Sequence, residues 1–120
     1  VIEGKMRLDD MIKREGVSID AKLSRQLLKN IFYPKAPLHD GAVIISHSRI
    51  AAAACILPLA EVKGTAFGTR HRAALGITEE SDATVVVVSE ERGEISIARK
   101  GILTRNLNSN KLRSALNELL

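Results

Sequence analysis

Gly41-Ala42-Val43-Ile44-Ile45-Ser46-His47-Ser48-Arg49-Ile50-Ala51-Ala52-Ala53-Ala54-Cys55-Ile56-Leu57 decides how the chain folds. Two apolar runs, Ala42 to Ile45 and Ile50 to Leu57, flank the polar residues Ser46 to Arg49. Short apolar runs separated by a polar turn read as a buried β-hairpin. Upstream, the period is helical. Leu8, Met11 and Ile12 sit on one helical face, with Asp9 and Asp10 near the N-terminus and Gly16 as the stop, which predicts a short first helix. A second helix is expected after Ser18 or Asp20, either a good N-cap, with Leu23, Leu27, Leu28, Ile31 and Phe32 on one face and an end before Pro34. Pro34 to Pro37 forms a rigid connector.

Downstream, Thr69 is expected to cap a helix carrying Ala73, Ala74, Leu75 and Ile77. Ala83 to Ser89 and Ile95 to Arg99, joined through Glu91-Arg92-Gly93-Glu94, predict a second hairpin. Asn108 or Ser109 caps a closing helix with Leu112, Ala115, Leu116, Leu119 and Leu120. The order of two helices, hairpin, helix, hairpin, helix predicts an α/β fold: one domain over residues 1–120, with a central mixed, twisted β-sheet flanked by helices.

Composition bounds the function classes. The 120 residues are 45% hydrophobic, and 18 Lys and Arg against 14 Asp and Glu leave a net charge of +4. A domain this size buries roughly two-thirds of its unfolded surface and needs no metal or disulfide staple. The single cysteine, Cys55, excludes an internal disulfide framework. With two Phe, one Tyr and no Trp, base stacking on aromatic platforms is disfavoured, and no nucleic-acid partner is expected. The longest apolar run, Ile50 to Ala60, is shorter than the about 20 residues a bilayer requires and contains Pro58. The chain opens on Val1, and Val1-Ile2-Glu3 reads as the tail of a strand, so a piece of a longer protein is expected, with its N-terminal edge cut away.

Three segments stand out chemically. Gly68-Thr69-Arg70-His71-Arg72 places basic side chains in the first turn of an expected helix, where the macrodipole is already positive. It reads either as a polyphosphate site, built from backbone N–H groups, the Thr69 hydroxyl and forked guanidiniums, or as a solvated turn paired with Glu79 and Glu80. Leu38-His39-Asp40-Gly41-Ala42 offers metal-ligand side chains and a close backbone approach, or an ordinary Asp-Gly turn. Ser89-Glu90-Glu91 lies at a strand exit, where ligands sit in α/β sheets, or is a solvated hairpin end. His47 and Cys55 read as non-functional. The sequence contains no GxxxxGK[ST], GxGxxG, paired CxxC or HExxH motif.

Taken in order, Asp40-Gly41-Ala42 and, 30 residues on, Arg70-His71-Arg72 resemble the signature of diadenylate cyclase domains. Pro37 to Ile45, Arg49 to Cys55, Gly68 to Ala74 and Val88-Ser89-Glu90-Glu91 are similar to the membrane-anchored bacterial branch, so the resemblance covers nearly the whole chain. It implies the diadenylate cyclase fold and the condensation of two ATP to cyclic di-AMP with release of two pyrophosphates. It also implies Mg²⁺ or Mn²⁺, a face-to-face dimer, and regulatory protein partners at a membrane that holds the full-length protein with this soluble domain facing the cytoplasm. Carried over by resemblance, Asp40 serves the ribose 3′-hydroxyl and, with His39, the metal. Gly41 and Ala42 line the ribose and phosphate contact, and Leu57 contacts adenine. Gly68, Thr69, Arg70, His71 and Arg72 cradle the triphosphate, while Ser89 and Glu91 complete its phosphate and metal end.

The sequence departs from the family at Ile56, where an aromatic residue often precedes the adenine-contacting leucine, and over Glu61 to Phe67. A catalytically weak nucleotide-binding or sensing module is the alternative that Ile56 keeps open.

Overall fold

The expected hairpin supplies two strands of a three-stranded antiparallel sheet. In a computed structural model that describes residues 1–10, 16–61, 68–89 and 93–119, β1 (Val17–Lys22), β2 (Ala42–Ser46) and β3 (Arg49–Cys55) pair in the order β1-β3-β2. The chain divides into two compact units, Val1–Pro58 and Leu59–Leu120, and this sheet belongs to the first. His47 and Ser48 form the β2–β3 turn with φ of 51° and 62°. Two consecutive left-handed residues give the turn the twist of the strands it joins.

Val43 and Ile44, neighbours on opposite faces of β2, are 3% and 0% exposed, so the strand is buried on both faces. Ile31, Val43, Ile50 and Ala53 form one core cluster, with Ile19, Leu23, Leu27, Leu28, Leu38 and Ile45 packed against it. Helix α1 (Arg25–Ile31) contributes Ile31 to this cluster.

The expected N-caps Ser18 and Asp20 are not caps. Both lie in β1, whose inward residues Ile19 and Ala21 alternate with more exposed neighbours. Asp20, at φ 51°, occupies a bulge against β3, and its Oδ1 and carbonyl oxygen accept from Arg49 Nε and Nη2 at 2.8 and 2.7 Å. The cap is Ser24, whose Oγ accepts from Leu27 N–H at 3.1 Å. At the N-terminal end Ile2 makes an isolated parallel bridge to Ile45, the mixed element of this sheet. Of the first expected helix, Asp9 and Asp10 are helical and Met11 and Ile12 lie outside the described residues.

The second unit carries β4 (Thr84–Val88), β5 (Ile95–Arg99) and β6 (Ile102–Leu107) in that order, all antiparallel, with helices α2 (Thr69–Glu80) and α3 (Ser109–Leu119). The expected second hairpin is β4–β5. Strand β6, which the sequence reading passed over, follows a turn at Lys100 and Gly101 with φ of 52° and 75°. Asn108 caps α3, its Oδ1 accepting from Lys111 N–H at 2.8 Å. Thr78 ties α2 to the β5–β6 turn: its buried hydroxyl donates to the Ala74 carbonyl at 2.8 Å and accepts from Gly101 N–H at 3.3 Å. The α/β class stands, with the strands drawn as two three-stranded ladders. No helix among the described residues is long and apolar enough to cross a membrane.

Candidate active site

The residues singled out in the sequence form two groups, one on each unit. On the first unit, Pro37–His39 make a single 3-10 turn with Pro at its start, and the chain leaves it through Asp40 (φ −88°, ψ 99°) into β2. His39 Nδ1 lies 2.7 Å from the Ala36 carbonyl oxygen. A carbonyl only accepts, so Nδ1 carries a proton, and in the neutral ring Nε2 then keeps its lone pair. Metal-binding histidines are oriented by this kind of bond. Asp40 beside it is exposed. Among the described residues no three His, Cys, Asp or Glu side chains cluster in a metal-ligating group.

Gly41 has φ +131°, and a Cβ built there would lie 2.7 Å from both the carbonyl carbon and the Cα of Ala54. Its missing side chain is therefore taken up by the backbone of β3, where the sequence reading assigned it to a ligand. Ala42 opens β2 opposite Cys55. Leu57 is 8% exposed, whereas Ile56 beside it is 66% exposed.

The second group surrounds the start of α2. Its N-cap is Gly68, in extended backbone (φ −74°, ψ 176°), with no side-chain capping bond and no acidic residue in the first turn. Thr69 is thus the first helical residue and not the cap: a cap needs extended dihedrals, and Gly68 holds them. A Cβ at Gly68 would meet nothing within 4 Å.

Arg70 Nη1 donates to the Val88 carbonyl at 2.7 Å, fixing the guanidinium at the exit of β4. Arg72 Nε donates to the Ala60 carbonyl at 3.1 Å, and Ala60 N–H donates to the Arg72 carbonyl at 3.0 Å. Both arginines thus bond backbone carbonyls, where the sequence reading had Glu79 and Glu80 as their alternative partners.

His71 differs from its neighbours. It shares a helix face with Ala74, Leu75 and Thr78 and is 7% exposed. Burial, followed by the nearby Arg105 charge, holds its imidazole below the usual histidine range, against an opposing pull from Glu94. Only two of the three residues therefore bring cations to the helix start at neutral pH. Glu94 Oε1 accepts from Arg105 Nε at 2.8 Å.

Ser89 closes the turn after β4: its Oγ accepts from Glu94 N–H at 3.0 Å, and its carbonyl accepts from Gly93 N–H at 3.1 Å. Glu91 lies outside the described residues. The sequence reading passed over Ala54, Ala60, Glu94 and Arg105, whose roles arise from contacts distant along the chain. A cavity of about 210 Å³ lined by Ile97, Arg99, Thr104, Leu107, Ala115 and Glu118 contains none of the expected site residues.

The family model described as DisA bacterial checkpoint controller nucleotide-binding (DAC) matches residues 1–103. This chain belongs to the DAC family. It is 48% identical over 117 residues to the cyclic di-AMP synthase CdaA of Bacillus subtilis, covering 96% of this chain and 42% of that protein. It is 50% identical over 111 residues to a diadenylate cyclase of Listeria monocytogenes, covering 91% and 40%.

Among solved structures, a double-cysteine mutant of DacA from Staphylococcus aureus matches with a TM-score of 0.93 at 44% identity, over 98% of this chain and 79% of that one. A hypothetical membrane spanning protein from Bacillus cereus matches with a TM-score of 0.82 at 44% identity, over 89% and 53%. The DAC chain thus spans about two-fifths of the length of the curated relatives named here.

Proposed function

We propose that residues 1–120 are the catalytic domain of a diadenylate cyclase, which joins two ATP into cyclic di-AMP and releases two pyrophosphates. The observation that carries the reading is the uncapped start of α2, with Arg70 and Arg72 already fixed on carbonyl oxygens, in a chain about half identical to proteins named for this activity. In each half-reaction the ribose 3′-oxygen of one ATP bonds to the α-phosphorus of the other, and the bond from that phosphorus to the pyrophosphate oxygen breaks. Asp40 takes the hydroxyl proton. Arg70, Arg72 and the N–H groups of the helix start bind the triphosphate and stabilise the charge that develops on the leaving pyrophosphate. Because both guanidiniums are held by the protein before substrate arrives, little ordering remains to be done on binding.

The residues present fit Mg²⁺ or Mn²⁺. His39 Nε2 and the Asp40 carboxylate offer a nitrogen and an oxygen ligand, and ions of this kind complete their shells with water and substrate phosphates. When bound, the ion lowers the pKa of the 3′-hydroxyl and offsets phosphate charge. His39 contributes orientation through its Nδ1–H bond to Ala36.

A two-fold symmetric product calls for two nucleotides presented to each other, which two protomers facing across a two-fold axis supply. By similarity to the Bacillus cereus membrane spanning protein, the full-length protein is proposed to be membrane-anchored, with this domain on the cytoplasmic side.

The experiment is incubation of the chain with ATP and Mn²⁺ over a range of protein concentrations, reading cyclic di-AMP. Product is expected, with specific activity rising as the protein dimerises. A folded dimer that makes none overturns the reading. Tight nucleotide binding without product establishes the binding-module alternative that exposed Ile56 favours.

A further inference from the structure

Six non-glycine residues among those described have positive φ: Asp20, His47, Ser48, Ala54, Lys100 and Asn106. Five have local reasons. His47, Ser48 and Lys100 form hairpin turns that require left-handed residues, and Asp20 and Asn106 belong to the residue types that tolerate this region. Ala54 is neither in a turn nor of that type. It lies inside β3 at φ 54°, although its Cβ disfavours that conformation.

Its reason is tertiary. Ala42 pairs with Cys55 and Ile44 with Ala52, so Ala53 and Ala54 together oppose the single residue Val43. This is a bulge, a device that redirects a strand and is frequent beside active sites. The bulged backbone packs on Gly41, where a Cβ would meet the Ala54 carbonyl carbon and Cα at 2.7 Å and its carbonyl oxygen at 3.1 Å. Gly41 is itself at φ +131°, directly between Asp40 and Ala42. The left-handed backbone of Ala54 thus packs on a residue whose own φ and close approach suit only glycine. Strain of this kind persists where the surroundings over-determine it, and it collects at functional sites.

We propose that Ala54 is a positioning residue: its left-handed backbone seats Gly41 and thereby aims the Asp40 carboxylate. The inference rests on the reading of Asp40 given under the proposed function. It makes the alanine of an otherwise bland run a determinant of rate, and its required property is backbone conformation rather than side-chain contact.

The test compares the 120-residue chain with Ala54→Gly and Ala54→Val. Glycine adopts positive φ without penalty, whereas a β-branched residue is a severe misfit there. Ala54→Val is expected to lower kcat about a hundredfold, the cost of a reacting group displaced by roughly an ångström. Its KM for ATP stays within about threefold, since phosphate binding is untouched. Ala54→Gly keeps kcat within about threefold of the parent, the rescue expected when conformation is the requirement.

Three-bond couplings and backbone carbon shifts at Gly41, read by NMR without ATP, report its φ. They are expected to change in Ala54→Val and to hold in Ala54→Gly. Ala54→Leu, milder in the same direction, serves if the valine variant does not fold. Unchanged kcat and an unchanged Gly41 conformation in the valine variant overturn the proposal, as does an equal loss in both variants or a disturbance spread evenly over the sheet. If the parent chain makes no product, the proposed function fails while the Gly41 readings still decide the role of Ala54.

Discussion

His39 Nδ1 and the Ala36 carbonyl oxygen are 2.7 Å apart, and the backbone N–H of His39 reaches the same oxygen at 3.1 Å. One carbonyl thus holds both the turn and the imidazole ring, and in the neutral ring Nε2 keeps its lone pair. His39→Ala is expected to weaken Mn²⁺ binding in the presence of ATP by about tenfold or more, as loss of an oriented ligand does. Calorimetric titration with Mn²⁺ measures it, and an unchanged affinity removes His39 from the metal site. Asp40→Asn tests the proton acceptor separately: turnover is expected to vanish while ATP binding stays measurable.

Arg70 and Arg72 separate by what they anchor. Arg70→Ala removes a charged donor and the bond to Val88, and it is expected to weaken ATP binding about tenfold or more and turnover with it. Arg70→Lys restores the charge but not the forked geometry, so recovery is partial. Nucleotide calorimetry and product formation together check this, and full activity in the lysine variant means that the fork is irrelevant.

His71 gives a pH dependence of stability. Its folded pKa lies below the usual 6.5 because burial, and then Arg105, disfavour the charged form. As pH falls below 6.5 the unfolded chain takes up a proton before the folded one, so this group's contribution to stability falls through the window between the two pKa values. The melting temperature is expected to decline over that window, and His71→Gln should flatten this part of the decline. An identical pH profile in the variant shows that another group is responsible.

Gly41 and Gly68 make opposite predictions. Gly41→Ala forces a Cβ to 2.7 Å from the Ala54 backbone at φ +131° and is expected to cost about 2 kcal/mol or more. Gly68→Ala meets open space at an ordinary φ and is expected to cost only about 0.5–1 kcal/mol, the preference of an N-cap for Gly over Ala. If Gly68→Ala nevertheless loses ATP affinity, the triphosphate comes close to that backbone. Thermal unfolding and nucleotide titration of both variants decide.

Elements with strong local signals were legible in the sequence: the paired apolar runs gave β2–β3, and Val85 to Val88 marked β4. Strand β1 was hidden because Ser18 and Asp20 look like caps, and the partner that makes Asp20 a bulge residue, Arg49, lies 29 positions away. Strand β6 escaped because Thr104, Arg105 and Asn106 break its apolar pattern. At the candidate site, residue types were readable while their states were not. Nothing in Arg70-His71-Arg72 announces that the central residue faces the core, although His71, Ala74, Leu75 and Thr78 follow a helical stripe that would have shown it. Ala54 gave no signal, since its neighbours are three more alanines and its left-handed backbone comes from pairing.

The reciprocal bonds between Ala60 and Arg72 give the intervening chain fixed points of departure and return. With both ends pinned, the entropy of closure grows only logarithmically with length, by about 0.6 kcal/mol for each doubling. Residues can then be gained or lost between these posts without shifting the start of α2. Variation in length among relatives is expected to accumulate in this stretch, leaving Arg70 and Arg72 in register.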